Sequence, residues 1–280
     1  MKLLTLWRLE LLKLFMQKGA YAGFAVLASL SGLFVWGTWQ HGPEMASHEQ
    51  VSDMFVMGGK LISAQSVCYM MLAVPLAVQV LIPLLVATIA GGLIAGETKT
   101  GTMRTILVRP VHRLTLTVAK TLTAWCHAIL LVAFLLGFTW LVAQIAFGAG
   151  DLVSLGGAKL TVIARSQAWW HLLLAYGFAA VGMCAVASIA LLLSSLFENS
   201  LTAAGLTVAF LIVSGVLMAI PYFEFLKEYL LTAHLSAYEQ AFRTPVGWDM
   251  LQYHLAYIAP YIYVPAALTA VVTWRRDVTC

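Results

Sequence analysis

The stretch Leu116–Phe147, LTVAKTLTAWCHAILLVAFLLGFTWLVAQIAF, decides the fold, because no charged residue follows Lys120 within it. A helix that crosses a bilayer needs about 20 mostly apolar residues, and this run exceeds that length. Five other runs share its character: Ala20–Gln40, Ser66–Ala95, Trp169–Phe197, Leu201–Ile220 and Leu255–Trp274. In lipid each backbone polar group must find its partner within the segment, so the runs predict helices. None shows the roughly ten-residue alternation of a membrane barrel strand. The composition agrees, with 61% hydrophobic and 10% charged residues among 280 and a mean hydropathy of +0.89. A soluble domain is about 45–50% apolar and about 25% charged. A soluble enzyme, a disordered tail and a nucleic-acid-binding domain are thereby set aside. The expectation is an all-α integral membrane protein with six transmembrane helices.

Orientation follows from Lys and Arg. With the N-terminus placed in the cytoplasm, eleven of the 16 Lys and Arg residues fall inside and five outside. That asymmetry is the positive-inside signature and predicts that both termini are cytoplasmic. The acids run the other way, four inside and eight outside. Residues 1–18, MKLLTLWRLELLKLFMQK, put Lys2, Thr5, Glu10, Lys13 and Gln17 on one helical arc. Leu3, Leu4, Trp7, Leu11, Leu14 and Phe15 fall on the other, the pattern of a basic amphipathic helix lying in the membrane interface. The charges at Arg8, Glu10 and Lys13 interrupt the apolar run too often for a signal peptide. Residues 19–280 then form one six-helix domain, with long outside segments at Gly42–Gln65 and 221–254.

Few side chains suggest chemistry. The four cysteines, Cys68, Cys126, Cys184 and Cys280, form no CxxC pair and read as packing residues. His112, His127 and His171 are isolated, and His41, His48, His234 and His254 lack the tight spacing of a metal site. Gln79, between Pro75 and Pro83, and Gln144 read as interhelical hydrogen-bonding groups. The two prolines predict a bend in the second span. Gly91, Gly92 and Gly182 predict close packing. The absence of a deep carboxylate argues against a proton- or sodium-coupled carrier, and an apolar pathway suits a hydrophobic or amphipathic substrate. No HExxH, GxSxG or paired intramembrane acids occur, so no catalytic or metal site is expected.

The most informative loop is Gly92–Lys120, GLIAGETKTGTMRTILVRPVHRLTLTVAK. Thr98 and Thr100 can cap a short helix over Thr102–Val108, which Pro110 would end. Gly96–Gly101 has the spacing of a phosphate-binding loop, but Thr102 replaces the required lysine. The chain is therefore not expected to be an ATPase or an enzyme of another kind.

Glu97, Gly101-Thr102, Ile106-Leu107, Pro110, Arg113 and Lys120 in this order resemble the coupling loop of ABC-2-type transporter permeases, the membrane subunits of ATP-binding-cassette transporters. The amphipathic N-terminus, the six-helix layout, Ser194-Ser-Leu-Phe197 with Asn199, and the ending Trp274-Arg-Arg-Asp277-Val are similar to that family too. The long segment 221–254 departs from its shortest members. The resemblance implies a permease subunit in the cytoplasmic (inner) membrane. It would move substrate, in the usual family role outward, on ATP hydrolysis by a separate subunit. The implied partners are cytoplasmic ABC ATPase subunits, which carry ATP and Mg, a second permease copy or a paralogue, and membrane lipid. The coupling loop would be residues 96–113, with Glu97, Thr98, Lys99, Thr100, Gly101, Thr102 and Met103 forming the contact from an exposed joint. Arg104 and Arg113 would orient it. The competing readings are a membrane-embedded enzyme and a stand-alone channel or scaffold; a basic loop touching anionic headgroups explains Arg109 and Arg113 but not the acid, the Gly-Thr and the Pro-terminated helix together.

Overall fold

A computed structural model describes residues 3–45, 62–74, 76–99, 112–156 and 159–275. In chain order the helices are α1 (Leu3–Met16), α2 (Lys18–Met45), α3 (Ala64–Ala73), α4 (Ile82–Lys99) and α5 (Arg113–Phe147). They continue as α6 (Arg165–Leu196), α7 (Ser200–Ala219), α8 (Leu231–Leu235) and α9 (Trp248–Arg275). Six stretches within them are long and apolar enough to cross a membrane: Lys18–Gln40, Gln79–Lys99, Arg113–Phe147, Arg165–Leu196, Ser200–Ala219 and Trp248–Arg275.

The second expected span, Ser66–Ala95, is broken. Its first half is α3, and Val74 then turns extended (φ −71°, ψ 112°), the backbone region imposed on a residue that precedes proline. A π-helical stretch, Leu76–Leu81, leads into α4. Gln79 lies on its exposed side, not at a helix-helix contact. The start of α3 docks on the chain leaving α5. Ser63 Oγ accepts from Ser66 N and donates to the Asp151 carbonyl at 2.6 Å, and Ser66 Oγ accepts from Val153 N at 3.0 Å.

That junction corrects the all-α expectation. Leu152–Gly156 (β1) pairs antiparallel with Lys159–Ile163 (β2), Leu152 opposite Ile163. Both of those residues are buried, and Asp151 Oδ1 closes the base by accepting from Arg165 N at 2.9 Å. The sequence signal was the Gly156-Gly157 pair between two short aliphatic runs, a chain-turning dipeptide.

Helix α6 is the axis of the bundle. It packs against α4, α5, α7 and α9, and 67% of its most apolar window is buried, against 17% in α9. Polar side chains stitch the helices together, a device that membrane helices use where lipid supplies no hydrophobic drive. Thr139 donates to Ser31 at 2.9 Å, Trp125 Nε1 to Ser188 at 2.8 Å, and Thr117 and Thr273 share a bond of 2.8 Å. Gly91 and Gly182 do lie at close approaches. A Cβ on Gly91 would stand 3.1 Å from Ala204 N, and one on Gly182 would stand 2.8 Å from Leu235 Cδ2.

The segment after α7 packs in part into the bundle. A 3-10 helix, Pro221–Tyr229, buries no side chain, but α8 and a second 3-10 turn, Ser236–Phe242, bury Leu231, His234, Leu235, Tyr238 and Phe242. Phe242 meets Tyr69 edge-on at 4.7 Å, and Ala241 O lies 2.6 Å from His171 Nδ1.

Candidate functional site

The residues that drew attention to the second loop converge on a buried charge cluster. On α1, Leu6, Glu10 and Leu14 recur every fourth position and so share one face. Leu6 packs on Leu116 and Ala119 of α5, with Trp7 beside them. Glu10 is thereby pressed inward, 7% exposed. Leu4, Leu12 and Met16 point outward instead, at 67%, 61% and 84% exposure. The expected division of α1 is therefore rotated, with one acid facing protein and leucines facing the surroundings.

Glu97, in the last turn of α4, is also 7% exposed, and Lys120, two turns into α5, is 1% exposed. Lys120 Nζ lies 2.8 Å from Glu97 Oε2, 3.2 Å from Glu10 Oε2 and 2.8 Å from the Leu93 carbonyl. Two of the three ammonium donors are hydrogen-bonded, to Glu10 Oε2 and the Leu93 carbonyl, and Glu97 Oε2 stands at ion-pair distance. The other Glu97 oxygen accepts from Lys13 Nζ. Two carboxylates and two ammonium groups cancel formally, the condition under which charges survive out of water. Burial and then the neighbouring Lys120 push the Lys13 ammonium below its ordinary value, while Glu10 pulls it back. Glu10, Lys13, Gln17, Gly96, Glu97 and Ser200 border an open cavity of about 380 Å³.

A second contact secures the same end of α4. Ser194 Oγ donates to Gly91 O at 2.6 Å and accepts from Ala95 N at 2.9 Å and Ile94 N at 3.2 Å. Asn199, after the turn, caps α7 by accepting from Leu201 N at 3.0 Å. The last turn of α6, which the sequence marked by its serines, is thus bonded to the helix that carries Glu97.

The expected contact residues separate accordingly. Glu97 is buried and ion-paired, which corrects its placement in an exposed joint: two lysines compensate its charge and draw it inward. Thr98 is half-buried and its hydroxyl donates to Ile94 O at 3.0 Å, whereas Lys99 is exposed and Arg113 half-exposed. Thr100, Gly101, Thr102, Met103 and Arg104 lie outside the described residues. Sequence reading missed Lys13 and Lys120 as partners of Glu97, and Glu10 as a second partner of Lys120. The available signal was Glu10 itself, an acid set among leucines, since an ionisable group in apolar surroundings needs a partner.

Residues 45–279 match the family described as a protein of unknown function, DUF2705. The chain belongs to that family. No curated protein matches it. The DUF2705 match takes in Glu97, Lys120 and Ser194 but begins after α1, so Glu10 and Lys13 come from outside the matched region.

Proposed function

We propose that this chain is the membrane-spanning permease subunit of an ABC transporter, with both termini in the cytoplasm and its power drawn from a separate ATPase subunit. The observation that supports this reading best is the buried ion pair between Glu97 and Lys120, which stand on either side of residues 100–111. Those residues carry the sequence similar to an ABC-2 coupling loop, and they connect the two helices that the pair joins. A push on the loop from a cytosolic motor would move α4 and α5 together, because Lys120 also holds Glu10. It would carry α1 with them, and Ser194 would pass the displacement of α4 to α6. Such a motor needs different affinities for two arrangements of the permease, since a shift from 1:99 to 99:1 takes about 5.5 kcal/mol. The permease works beside a second copy or a paralogue, and spans with so few polar groups suit export of a hydrophobic or amphipathic compound.

The test is affinity purification of the full chain from its native membrane, followed by reconstitution in vesicles. The expected companion is an ATPase subunit with a Walker A lysine whose ATP hydrolysis the permease stimulates. Replacing Gly101 with a bulky residue should abolish that stimulation while the protein stays inserted. Isolation of the chain with no nucleotide-hydrolysing companion, or catalytic turnover by the chain alone, overturns the reading.

A further inference from the structure

At the opposite end of the bundle from the charge cluster, the fold brings together two histidines that the sequence left apart. His234 lies in α8 and His254 in the second turn of α9. Thr273, near the other end of α9, bonds Thr117 close to Lys120, which places the two sites about 28 Å apart along the helix. The Nδ1 atoms of His234 and His254 are 2.8 Å apart, a hydrogen-bond distance. His234 Nε2 is 2.8 Å from the Glu228 carbonyl.

Proton bookkeeping fixes the roles. A carbonyl only accepts, so His234 Nε2 carries hydrogen. Neutral His234 then offers Nδ1 as an acceptor, and the proton in the contact belongs to His254. His254 can take a further proton on Nε2 and still donate through Nδ1. His234 cannot take one without losing its acceptor. With both rings charged, two N–H groups of like charge would oppose each other at this separation.

We propose that His234 and His254 form a proton-operated latch that fastens residues 221–242 to the start of α9 and releases them when both imidazoles are charged. The contact is well placed for such a role. His234 is 2% exposed and stacks on Tyr257, with centroids 4.9 Å apart and planes at 10°. The 3-10 helix Pro221–Tyr229 buries no side chain, and it is held through backbone carbonyls: Glu228 O to His234, and Tyr229 O accepting from Tyr261 OH at 2.5 Å. Charging both rings removes the tie of α8 to α9 and loosens the packing of Leu235 on Gly182, and the 3-10 helix, still bonded to His234 through Glu228 O, moves with α8.

The titratable neighbours are Tyr253 and Tyr257 of α9 and Glu228 and Tyr229 of the preceding turn. The turn that follows α8 brings Tyr238 and Glu239. Helix α6 brings His171, whose Nδ1 already faces Ala241 O. Helix α7, bonded to this region through Ser214 and Thr232 at 2.8 Å, carries no titratable side chain.

The test uses the full chain in lipid nanodiscs and a glutamate-specific protease, which can cut after Glu224 and Glu228. Rates at about pH 7.5 and about pH 5, on either side of the imidazole range, are normalised to a free peptide of residues 221–242. Cleavage should be about tenfold faster at the lower pH, the scale of losing one buried hydrogen bond. His254→Phe keeps a ring but removes the donor, and should be cut fast at both pH values. Nitrogen-15 spectra of labelled histidine should show one Nδ1–H in the pair at high pH and two at low pH. Equal normalised rates in the native chain overturn the proposal, as does a pH step retained by His254→Phe. Loss of the pH step on adding a chelator would show a metal ion, not a proton, between the rings, and would overturn it as well.

Discussion

Lys120 and Glu97 stand on opposite sides of the second loop, yet their charged atoms are 2.8 Å apart and almost wholly buried. Lys120→Met strands two carboxylates with Lys13 as their remaining cation. Removing one member of a buried pair costs about 3–5 kcal/mol, and a loss of that size is expected in reversible unfolding of the purified protein in mixed micelles. Neutralising both acids as well, with Glu10→Gln and Glu97→Gln, should recover much of the loss. Lys13, whose side chain is 40% exposed, can turn its ammonium toward water. A Lys120→Met variant within about 1 kcal/mol of the native chain would mean that water reaches the cluster.

The two close-packed glycines should respond differently to one added methyl. On Gly91 a Cβ meets backbone, Ala204 N at 3.1 Å and Ser200 O at 3.3 Å, and neither can rotate away. Gly91→Ala should therefore cost about 1–3 kcal/mol, the usual range for overpacking, and should separate α4 from α7. On Gly182 the obstacle is the tip of Leu235, which has other rotamers, so Gly182→Ala should cost less than Gly91→Ala. The same unfolding assay ranks them, and the reverse order would contradict the packing described.

Much of this architecture was legible because lipid imposes a simple rule. Apolar length alone located all six long helices, and Gly91 and Gly182 announced close contacts. The interruption at Val74 was half legible: Pro75 and Pro83 predicted a bend, but α3 is an inward helix docked on Asp151, and only tertiary hydrogen bonds to Ser63 and Ser66 reveal that. The hairpin at Leu152–Ile163 was overlooked because composition, not alternation, dominated the reading. The charge cluster was illegible for a different reason. Glu10, Glu97 and Lys120 are far apart in sequence, and whether a charge near a helix end faces water or a partner depends on how α1 lies against α5. The same holds for His234 and His254, which meet because α8 folds back upon α9.

Ser194 offers a sharper test of how α6 holds α4. Its hydroxyl lies between Gly91 O and Ala95 N, which are acceptor and donor of one ordinary helical turn. Both groups also belong to the continuous helix α4, which can satisfy them without the hydroxyl, so Ser194→Ala should cost no more than about 1 kcal/mol. Ser194→Val instead pushes methyl groups against a carbonyl and two N–H groups, and should cost about 1–3 kcal/mol more through overpacking and lost partners. Equal stabilities for the two variants would show that the hydroxyl contact does not hold the helices in register.

The outward leucines of α1 lead to a prediction about its surroundings. Leu4, Leu12 and Met16 are more than half exposed, an arrangement that water would disfavour by about 25 cal/mol per Å² of apolar surface. If α1 lies in the membrane interface, those side chains are covered by acyl chains, while Arg8 reaches headgroups. A spin label at Leu12 should then collide more often with dissolved oxygen than with a water-soluble nickel chelate. A label at Arg8, one turn away on the same face, should share that preference. Because Glu10 pairs with Lys120 on the inner face, Glu10→Gln should reduce this contrast by loosening α1 from α5. A Leu12 label that favours the nickel chelate in the native chain would place α1 in water and remove lipid as the partner of its outer face.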